Sequence, residues 1–213
     1  MSAAAKPGSA NTSAETSVDG VDNGRRHFLL VATTTIGLAG VVATAVPFLA
    51  SWRPSARAKA LGAPVEVDIS KLEPGALMKI EWRGQAVYVV YRTPEMLAKL
   101  NGNDDQLRDP KSENADQQPT YIKGETRSVK PEYLVLVGVC THLGCAPLDK
   151  FTPGDAELGA SWAGGFYCPC HGSKFDLSGR VYKDVPAPTN LAVPPYTYLT
   201  DTRLLVGSDP GVA

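Results

Sequence analysis

The sequence predicts an all-β protein, an antiparallel β sandwich that follows one N-terminal transmembrane helix. The helix is predicted by an uncharged apolar run over residues 28–50. At ~1.5 Å per residue this run would reach ~34 Å as a helix, enough to cross a hydrocarbon core of ~30 Å. The sandwich is predicted by apolar residues that alternate with period two from residue 65 onward. The 17 prolines and 20 glycines also favour a loop-rich β fold over a helical bundle.

Three predicted segments precede the folded domain. Residues 1–23 are small and polar, so they are predicted to form a disordered cytoplasmic tail. Residues 24–50 contain Arg25-Arg26 ahead of the apolar run, which resembles a bacterial twin-arginine export signal joined to a transmembrane anchor. The run exceeds the ~7–15 apolar residues of a cleavable signal, which favours an uncleaved anchor. The small and polar composition of 51–63 predicts a flexible neck.

The export signal determines the predicted topology. Basic residues lie on both sides of the apolar run, so their distribution alone does not orient the helix. The twin-arginine signal predicts a single-pass protein of the bacterial inner membrane, with its C-terminal domain on the periplasmic side. The net charge of −1 provides no basic field that would indicate a nucleic acid partner.

The fourth segment, residues 64–213, is predicted to fold as the β domain. Thr93 and Pro94 are typical of a helix N-terminus, and this helix should extend to about residue 100. The polar, irregular residues at 101–130 predict an insertion packed on the surface. Strands are predicted at 65–69, 77–82, 86–91, 133–139 and 197–206, where a turn at 83–85 makes a hairpin and the last strand closes the sheet.

Two short motifs contain all four cysteines and two of the three histidines. The first is CTHLGC at 140–145, directly after a predicted buried strand, and the second is CPCHGS at 168–173. Each motif offers one cysteine and one histidine at ligand spacing, which suits a zinc ion or a [2Fe–2S] cluster. Zinc fingers usually pair like residues, whereas each motif here is mixed, which favours the cluster. The extra cysteine in each motif is well placed for a disulfide between the loops.

The two motifs resemble the motif pair of Rieske iron–sulfur proteins from cytochrome bc complexes, and the resemblance extends from the twin-arginine segment to Val206. It implies a Rieske-type antiparallel β sandwich with a small cluster-binding subdomain at about 138–190. One [2Fe–2S] cluster per subunit is implied, with two cysteines on one iron and two histidines on the other. The implied ligands are Cys140, Cys168, His142 and His171.

The resemblance also assigns residues around the cluster. It implies a disulfide between Cys145 and Cys170. It further implies a hydrogen bond from the Ser173 hydroxyl to a cluster sulfide, which would raise the reduction potential. Three residues would shield the cluster. Leu143, at the tip of the first loop, would lie against the quinol pocket of a partner subunit. Pro186 and Pro188 lie in a segment similar to the family's proline loop.

The function implied by the resemblance is electron transfer in a respiratory quinol–cytochrome c oxidoreductase. The cluster would accept an electron from ubiquinol while His142 or His171, as the catalytic residues, takes the proton. A c-type cytochrome would receive the electron, in support of proton translocation. The implied partners are the cytochrome b and c-type cytochrome subunits, with ubiquinol at the interface with cytochrome b. The chain alone would not be a complete enzyme.

Two other functions fit the sequence less well. A Rieske oxygenase needs a second iron held by two histidines and a carboxylate, but the remaining histidine, His27, lies in the export signal. An electron-relay subunit of another exported complex, such as an arsenite oxidase, would carry similar motifs. The long apolar span and the insertion favour the cytochrome bc type, since LRDP at 107–110 and QQP at 117–119 resemble segments of proteobacterial subunits of that type.

One position departs from the pattern of the family. Many members have a tyrosine two residues after the serine of the second motif, and its hydroxyl bonds the sulfur of a cluster cysteine. This chain has Phe175 at that position. Phenylalanine keeps the packing but lacks the donor, so the sequence predicts a lower reduction potential than a Phe175→Tyr variant would have.

Overall fold

The computed structural model describes residues 22–210 of the chain. Most of the predicted disordered tail, residues 1–21, therefore lies outside the described residues. The chain divides into two compact units between Pro54 and Ser55. The first unit contains a long apolar helix, and the second contains every strand of the described residues.

Helix α1, Asn23–Ser51, contains the predicted membrane anchor. The carboxylate of Asp22 caps the helix by accepting hydrogen bonds from the backbone N–H groups of Gly24 and Arg25, at 3.0 and 3.2 Å. The helix is long and apolar enough to cross a membrane, which confirms the predicted candidate span. Four of its threonine hydroxyls donate to carbonyls one turn earlier, which would satisfy them in a membrane span without water: Thr33, Thr34, Thr35 and Thr44.

Helix α2, Ala56–Leu61, lies inside the segment predicted to be a flexible neck. The Ser55 hydroxyl caps it by accepting a hydrogen bond of 3.1 Å from the Ala58 N–H. Its last carbonyl, on Leu61, accepts a hydrogen bond of 3.0 Å from the Arg83 N–H. Alanine, lysine and leucine are strong helix formers, which explains why this short segment is helical despite its small and polar composition.

Nine strands follow α2 in the described residues, and all pair antiparallel: β1 Val65–Asp68, β2 Leu77–Trp82, β3 Gln85–Tyr91, β4 Tyr133–Val137, β5 Leu148–Lys150, β6 Gly165–Cys168, β7 Ser173–Phe175, β8 Tyr196–Thr200 and β9 Arg203–Val206. They form three sheets, with the orders β1-β9-β8, β2-β3-β4 and β5-β6-β7. The first two sheets share one hydrophobic core and form the predicted sandwich. The third sheet carries the second cysteine motif at its β6–β7 connection.

Strand β3 lies at the centre of its sheet, between β2 and β4. Its residues Val87, Tyr88, Val89 and Val90 are all buried. Successive side chains of a strand point to opposite faces, so this unbroken run shows that both faces of the sheet are covered here.

Several predicted strand ends differ from the structure by one or two residues; the strands predicted at 65–69 and 133–139 end at Asp68 and Val137. Gln85 already pairs with Trp82, so the hairpin turn consists of two residues instead of the predicted three at 83–85. The single strand predicted at 197–206 is the hairpin formed by β8 and β9, because the polar residues Asp201 and Thr202 turn the chain between them. Strand β9 then pairs with β1 on its other edge.

The segment between β3 and β4 begins with helix α3, Pro94–Ala98, whose predicted N-cap is confirmed by a hydrogen bond from the Met96 N–H to the Thr93 hydroxyl. Two 3₁₀ turns follow, at Asp104–Gln106 and Ala115–Gln117. The prediction that 101–130 is an irregular segment at the surface agrees with the structure, in which most of its residues are exposed or half-buried. Three of its side chains are nevertheless almost fully buried: Leu107, Ile122 and Arg127.

Candidate metal centre

The two cysteine–histidine motifs form loops of the same construction. The carbonyl of Cys140 accepts a hydrogen bond of 3.0 Å from the Gly144 N–H, and the carbonyl of Cys168 accepts one of 2.9 Å from the Gly172 N–H. Both glycines have positive φ angles, of 84° and 78°, which glycine adopts without steric cost. Each loop therefore turns back four residues after its cysteine and carries its histidine on the turn.

The four predicted ligands divide into a buried pair and an outer pair. The thiols of Cys140 and Cys168 are free, and both residues are 2% exposed. Burial raises the pKa of the Cys168 thiol, and the nearby Cys140 thiol raises it further. The rings of His142 and His171 lie perpendicular to each other with centroids 4.7 Å apart; His142 is half-buried and His171 is exposed. Soft sulfur donors thus lie inside and imidazoles lie towards solvent.

The two loops are joined by a disulfide between Cys145 and Cys170. This bond confirms the predicted pairing, and it removes both sulfurs from the set of available metal ligands. Within residues 22–210, the one group of three or more donor residues that lie mutually within 4.8 Å consists of these two sulfurs and that of Cys168. Only Cys168 of this group can bind a metal.

The spread of the four free donors favours two metal ions over one. A tetrahedral zinc with bonds of about 2.1 to 2.3 Å requires its donors to lie roughly 3.4 to 3.8 Å apart. Cys140, His142, Cys168 and His171 do not form a group within 4.8 Å of one another among the described residues. Two irons, one for the buried thiols and one for the outer imidazoles, fit this arrangement.

A third segment closes over the second loop. Ser173 is fully buried, and its hydroxyl oxygen accepts a hydrogen bond of 3.0 Å from the Ala187 N–H. Because this bond uses a lone pair, the hydroxyl proton stays free to donate to another acceptor. The segment 186–188 therefore lies directly against the residue predicted to bond the cluster.

The comparisons with known proteins agree with this geometry. The family model described as "Rieske [2Fe-2S] domain" matches residues 65–196, which is more than half of the chain. The chain belongs to the Rieske family. The Rieske centre of this chain therefore carries a [2Fe–2S] cluster, as the motifs predicted. A second model, described as "Ubiquitinol-cytochrome C reductase Fe-S subunit TAT signal", matches residues 16–55 and agrees with the predicted twin-arginine signal.

Several curated relatives cover nearly the whole Rieske chain. The "Ubiquinol-cytochrome c reductase iron-sulfur subunit" of Allochromatium vinosum is 58% identical over 197 residues, which cover 92% of this chain and 95% of the relative. The protein of the same name from Blastochloris viridis is 41% identical and covers 92% and 99%. The protein of that name from Rhodospirillum rubrum is 40% identical and covers 90% and 96%.

The residues predicted to shield the Rieske centre occupy different environments. Leu143 is 70% exposed, so its side chain projects from the first loop instead of packing within it. Pro186 and Pro188 are exposed, whereas Ala187 between them is fully buried. The part of the proline loop that faces the protein is thus the alanine and its backbone N–H, and the two proline rings form the outer surface.

The sequence did not predict which hydrogen bonds attach the Rieske loops to the rest of the domain. The hydroxyl of Tyr88 on β3 donates a hydrogen bond of 2.9 Å to the carbonyl of Pro147, at the end of the first loop. Burial raises the pKa of this phenol, and Asp149 adds to the effect. The tyrosine within an otherwise apolar strand could have indicated such a bond, because a buried hydroxyl needs a hydrogen-bond partner. Three buried arginines, Arg92, Arg127 and Arg180, gave no comparable signal.

Proposed function

We propose that this Rieske chain is the electron-transfer subunit of a ubiquinol–cytochrome c reductase, which takes an electron and a proton from ubiquinol and passes the electron to a c-type cytochrome. The observation that carries the proposal is the pair of solvent-facing imidazoles, His142 and His171, with centroids 4.7 Å apart. The names of the curated relatives support the same activity. The match to the signal model of ubiquinol–cytochrome c reductase iron–sulfur subunits supports electron transfer in the cytochrome bc complex over the other roles of Rieske proteins.

The ligand roles follow from burial. Cys140 and Cys168 would hold the inner iron, and His142 and His171 would hold the outer iron. A cluster bound in this way accepts one electron at roughly −150 to +300 mV, above all-cysteine plant-type clusters. The two thiols are buried away from water, while the imidazoles leave a polar, accessible face for a reaction partner.

Proton transfer would take place at the ring nitrogens that are not bound to iron. A neutral imidazole that binds iron through one nitrogen carries its proton on the other, so the outer nitrogen would accept a hydrogen bond from a quinol hydroxyl once it has lost that proton. Added negative charge on the iron makes the outer nitrogen of a ligand histidine more basic. His142 or His171 would therefore take the proton as the electron arrives.

The exposed Leu143 supports a contact with a partner subunit. A leucine that is 70% exposed beside a polar reaction face is suited to an apolar pocket. We propose that this leucine inserts at the ubiquinol pocket of cytochrome b, and that the same face later meets the c-type cytochrome subunit. Catalysis then requires these partners, with the chain supplying the mobile electron carrier.

The N-terminal unit supports a location at the membrane. Helix α1 would anchor the chain in the bacterial inner membrane, and the match to the twin-arginine signal model supports a periplasmic Rieske domain. We further propose that the neck, residues 51–63, lets the domain move between its two partners. Because α2 occupies residues 56–61, the non-helical residues of this neck are 52–55 and 62–63.

An EPR-monitored redox titration of the full chain in detergent, at several pH values, tests the centre. We expect a Rieske-type signal with a high potential that falls as pH rises, because the ligand histidines lose protons. A silent sample, or a low potential that does not respond to pH, would contradict the proposal.

The moving domain is tested in the assembled complex. Replacing residues 52–55 by alanines should join α1 and α2 into one rigid helix, slow quinol-dependent cytochrome c reduction and leave the EPR signal intact. A glycine–serine replacement of the same length is the control and should retain turnover. Equal turnover in both variants would reject a mobile neck.

A further inference from the structure

Three arginine side chains are buried around the turn at 176–180, which directly follows β7 and the second cluster loop. Arg92, Arg127 and Arg180 are at most 1% exposed. They come from three parts of the chain: the end of β3, the insertion at 101–130 and the turn itself. We call these three residues the arginine group.

The side chain of Arg180 at the end of the turn bonds to Asp176 at its start. Its Nε donates to Asp176 Oδ2 at 2.7 Å, and the other carboxylate oxygen of Asp176 accepts the backbone N–H groups of Ser178 and Arg180. Its Nη1 donates to Asp104 Oδ1 at 3.1 Å and its Nη2 to the Leu100 carbonyl at 3.0 Å. The turn is thereby held to the start of the insertion.

Arg127 and Arg92 reach the same turn from the other elements. Arg127 Nη1 donates to the carbonyl of Ser178 at 3.0 Å, and its Nη2 donates to that of Leu191 at 2.8 Å. Arg92 Nη1 donates to the Ser178 hydroxyl at 2.9 Å and to the Leu177 carbonyl at 3.2 Å. Most of these acceptors are neutral, so they satisfy the guanidinium N–H groups without cancelling their charge.

The arginine group brings three buried positive charges together with one buried carboxylate. Asp176 is the one carboxylate hydrogen-bonded to the group that is itself buried, at 2%, whereas the side chain of Asp104 is 43% exposed. Burial lowers the pKa of Arg92 and of Arg127 to about 10, so both stay protonated at neutral pH. The other carboxylates that act on these two arginines, Asp109 and Glu132, are partly exposed. The buried charges are therefore positive in excess, and water screens them less than it screens the outer carboxylates.

This charge lies close to the Rieske centre along the chain. Asp176 follows Ser173 by three residues, and an extended chain covers about 3.3 Å per residue, so the two backbones are at most ~10 Å apart. An added electron on the cluster is negative charge, which a nearby buried positive charge stabilises. The hydrogen bonds also fix Gly179, whose carbonyl accepts the Leu191 N–H beyond the proline loop.

We propose that the arginine group raises the reduction potential of the Rieske centre through its excess buried positive charge. The insertion at 101–130 contributes to this effect through Arg127. The inference deepens the proposed function but rests only on the cluster that the family carries. If the chain did not take part in quinol oxidation, the effect of the arginine group on the potential could still hold. If the arginine group had no effect on the potential, the proposed function could still hold.

The test is a set of charge variants of the full chain, each titrated by EPR at pH 7. Arg127→Gln removes a buried positive charge and should lower the potential. Asp104→Asn removes a negative charge from the half-exposed rim of the group and should raise it. Arg127→Lys keeps the charge and should stay closer to the parent than Arg127→Gln does. Arg203→Gln is the matched control, because Arg203 is exposed on β9 and pairs with Glu66.

Opposite shifts in Asp104→Asn and Arg127→Gln, with an unchanged Arg203→Gln, support the proposal, since damage to the fold would not reverse its sign with charge. Shifts in the same direction, no shift in Arg127→Gln, or an equal shift in Arg203→Gln would overturn it. If Arg127→Gln does not assemble the centre, Asp104→Asn decides alone, and a potential no higher than that of the parent overturns the proposal.

Discussion

The hydroxyl of Thr141 donates a hydrogen bond of 2.7 Å to the backbone carbonyl of Thr189. This bond joins the first cluster loop to the residue that follows the proline loop. The second cluster loop makes the equivalent connection through Ser173, whose hydroxyl accepts the Ala187 N–H. The segment 186–189 is therefore fastened to both ligand loops, by one side-chain hydroxyl from each.

Removing the Thr141 hydroxyl should weaken the attachment of the segment 186–189 to the first cluster loop. Thr141→Val keeps the side-chain shape and loses one hydrogen bond, which is worth about 1 kcal/mol, or roughly a fivefold change in the population of an opened loop. We expect the cluster to be lost about fivefold faster when its EPR signal is followed at elevated temperature. Thr189→Val is the control, because only the backbone of Thr189 takes part in the bond. Equal lifetimes in the parent and Thr141→Val would show that the bond does not limit opening.

Phe175→Tyr should raise the reduction potential. Phe175 is fully buried on β7 and pairs with Phe166 on β6. A hydroxyl there would supply the donor that many family members have, and a hydrogen bond to a ligand sulfur stabilises the reduced cluster. Phe166→Tyr, with the same hydroxyl on the paired strand, should leave the potential near that of the parent. Identical potentials in Phe175→Tyr and the parent would reject this role.

Removing the disulfide should destabilise the Rieske domain. Cys145 and Cys170 are 25 residues apart, and closing a loop of this length lowers the entropy of the unfolded chain enough to contribute about 3 kcal/mol. We expect the double variant Cys145→Ala with Cys170→Ala to unfold at a lower temperature by circular dichroism. The parent treated with a thiol reductant should approach the variant. An unchanged midpoint in the double variant would mean that the loops hold each other without the bond.

Acid should weaken the domain through surface carboxylates. The Lys130 ammonium donates to Asp201 at 2.8 Å and lowers the pKa of that carboxyl, and the Glu157 N–H, helped by Lys150, lowers the pKa of Asp155. The folded state therefore binds these protons less readily than the unfolded state. Their stabilisation is complete above the usual value near 3.8 and is lost as pH falls below it.

The effect of each carboxyl is small because Asp201 is exposed and Asp155 is partly exposed, so solvent screens both pairs. It is best measured as a difference between the parent and a double variant, Asp155→Asn with Asp201→Asn, in thermal unfolding from pH 7 to pH 3. The gap between their unfolding temperatures should close as pH falls below about 4. A gap that stays constant over this range would contradict the assignment.

The [2Fe–2S] cluster and the disulfide could be predicted because each motif is local and chemically specific. The hairpin of β2 and β3 was likewise predictable from apolar alternation on both sides of a short turn. The role of Arg127 was not, because a polar residue in an irregular stretch favours a surface position unless its partners are known. Its partners are backbone carbonyls such as those of Ser178 and Leu191, which any sequence provides.

The same buried hydrogen bonds also affect how the domain folds. Arg92 and Ser178 are 86 residues apart, Asn190 and Asp109 are 81 apart, and Arg180 and Leu100 are 80 apart. Such contacts form only after long stretches of chain have been brought together, so folding is expected in roughly milliseconds to seconds, not microseconds. Residues up to 191 must also leave the ribosome before the arginine group can close. Transport of an already folded domain, as the twin-arginine signal implies, gives this late step time to finish in the cytoplasm.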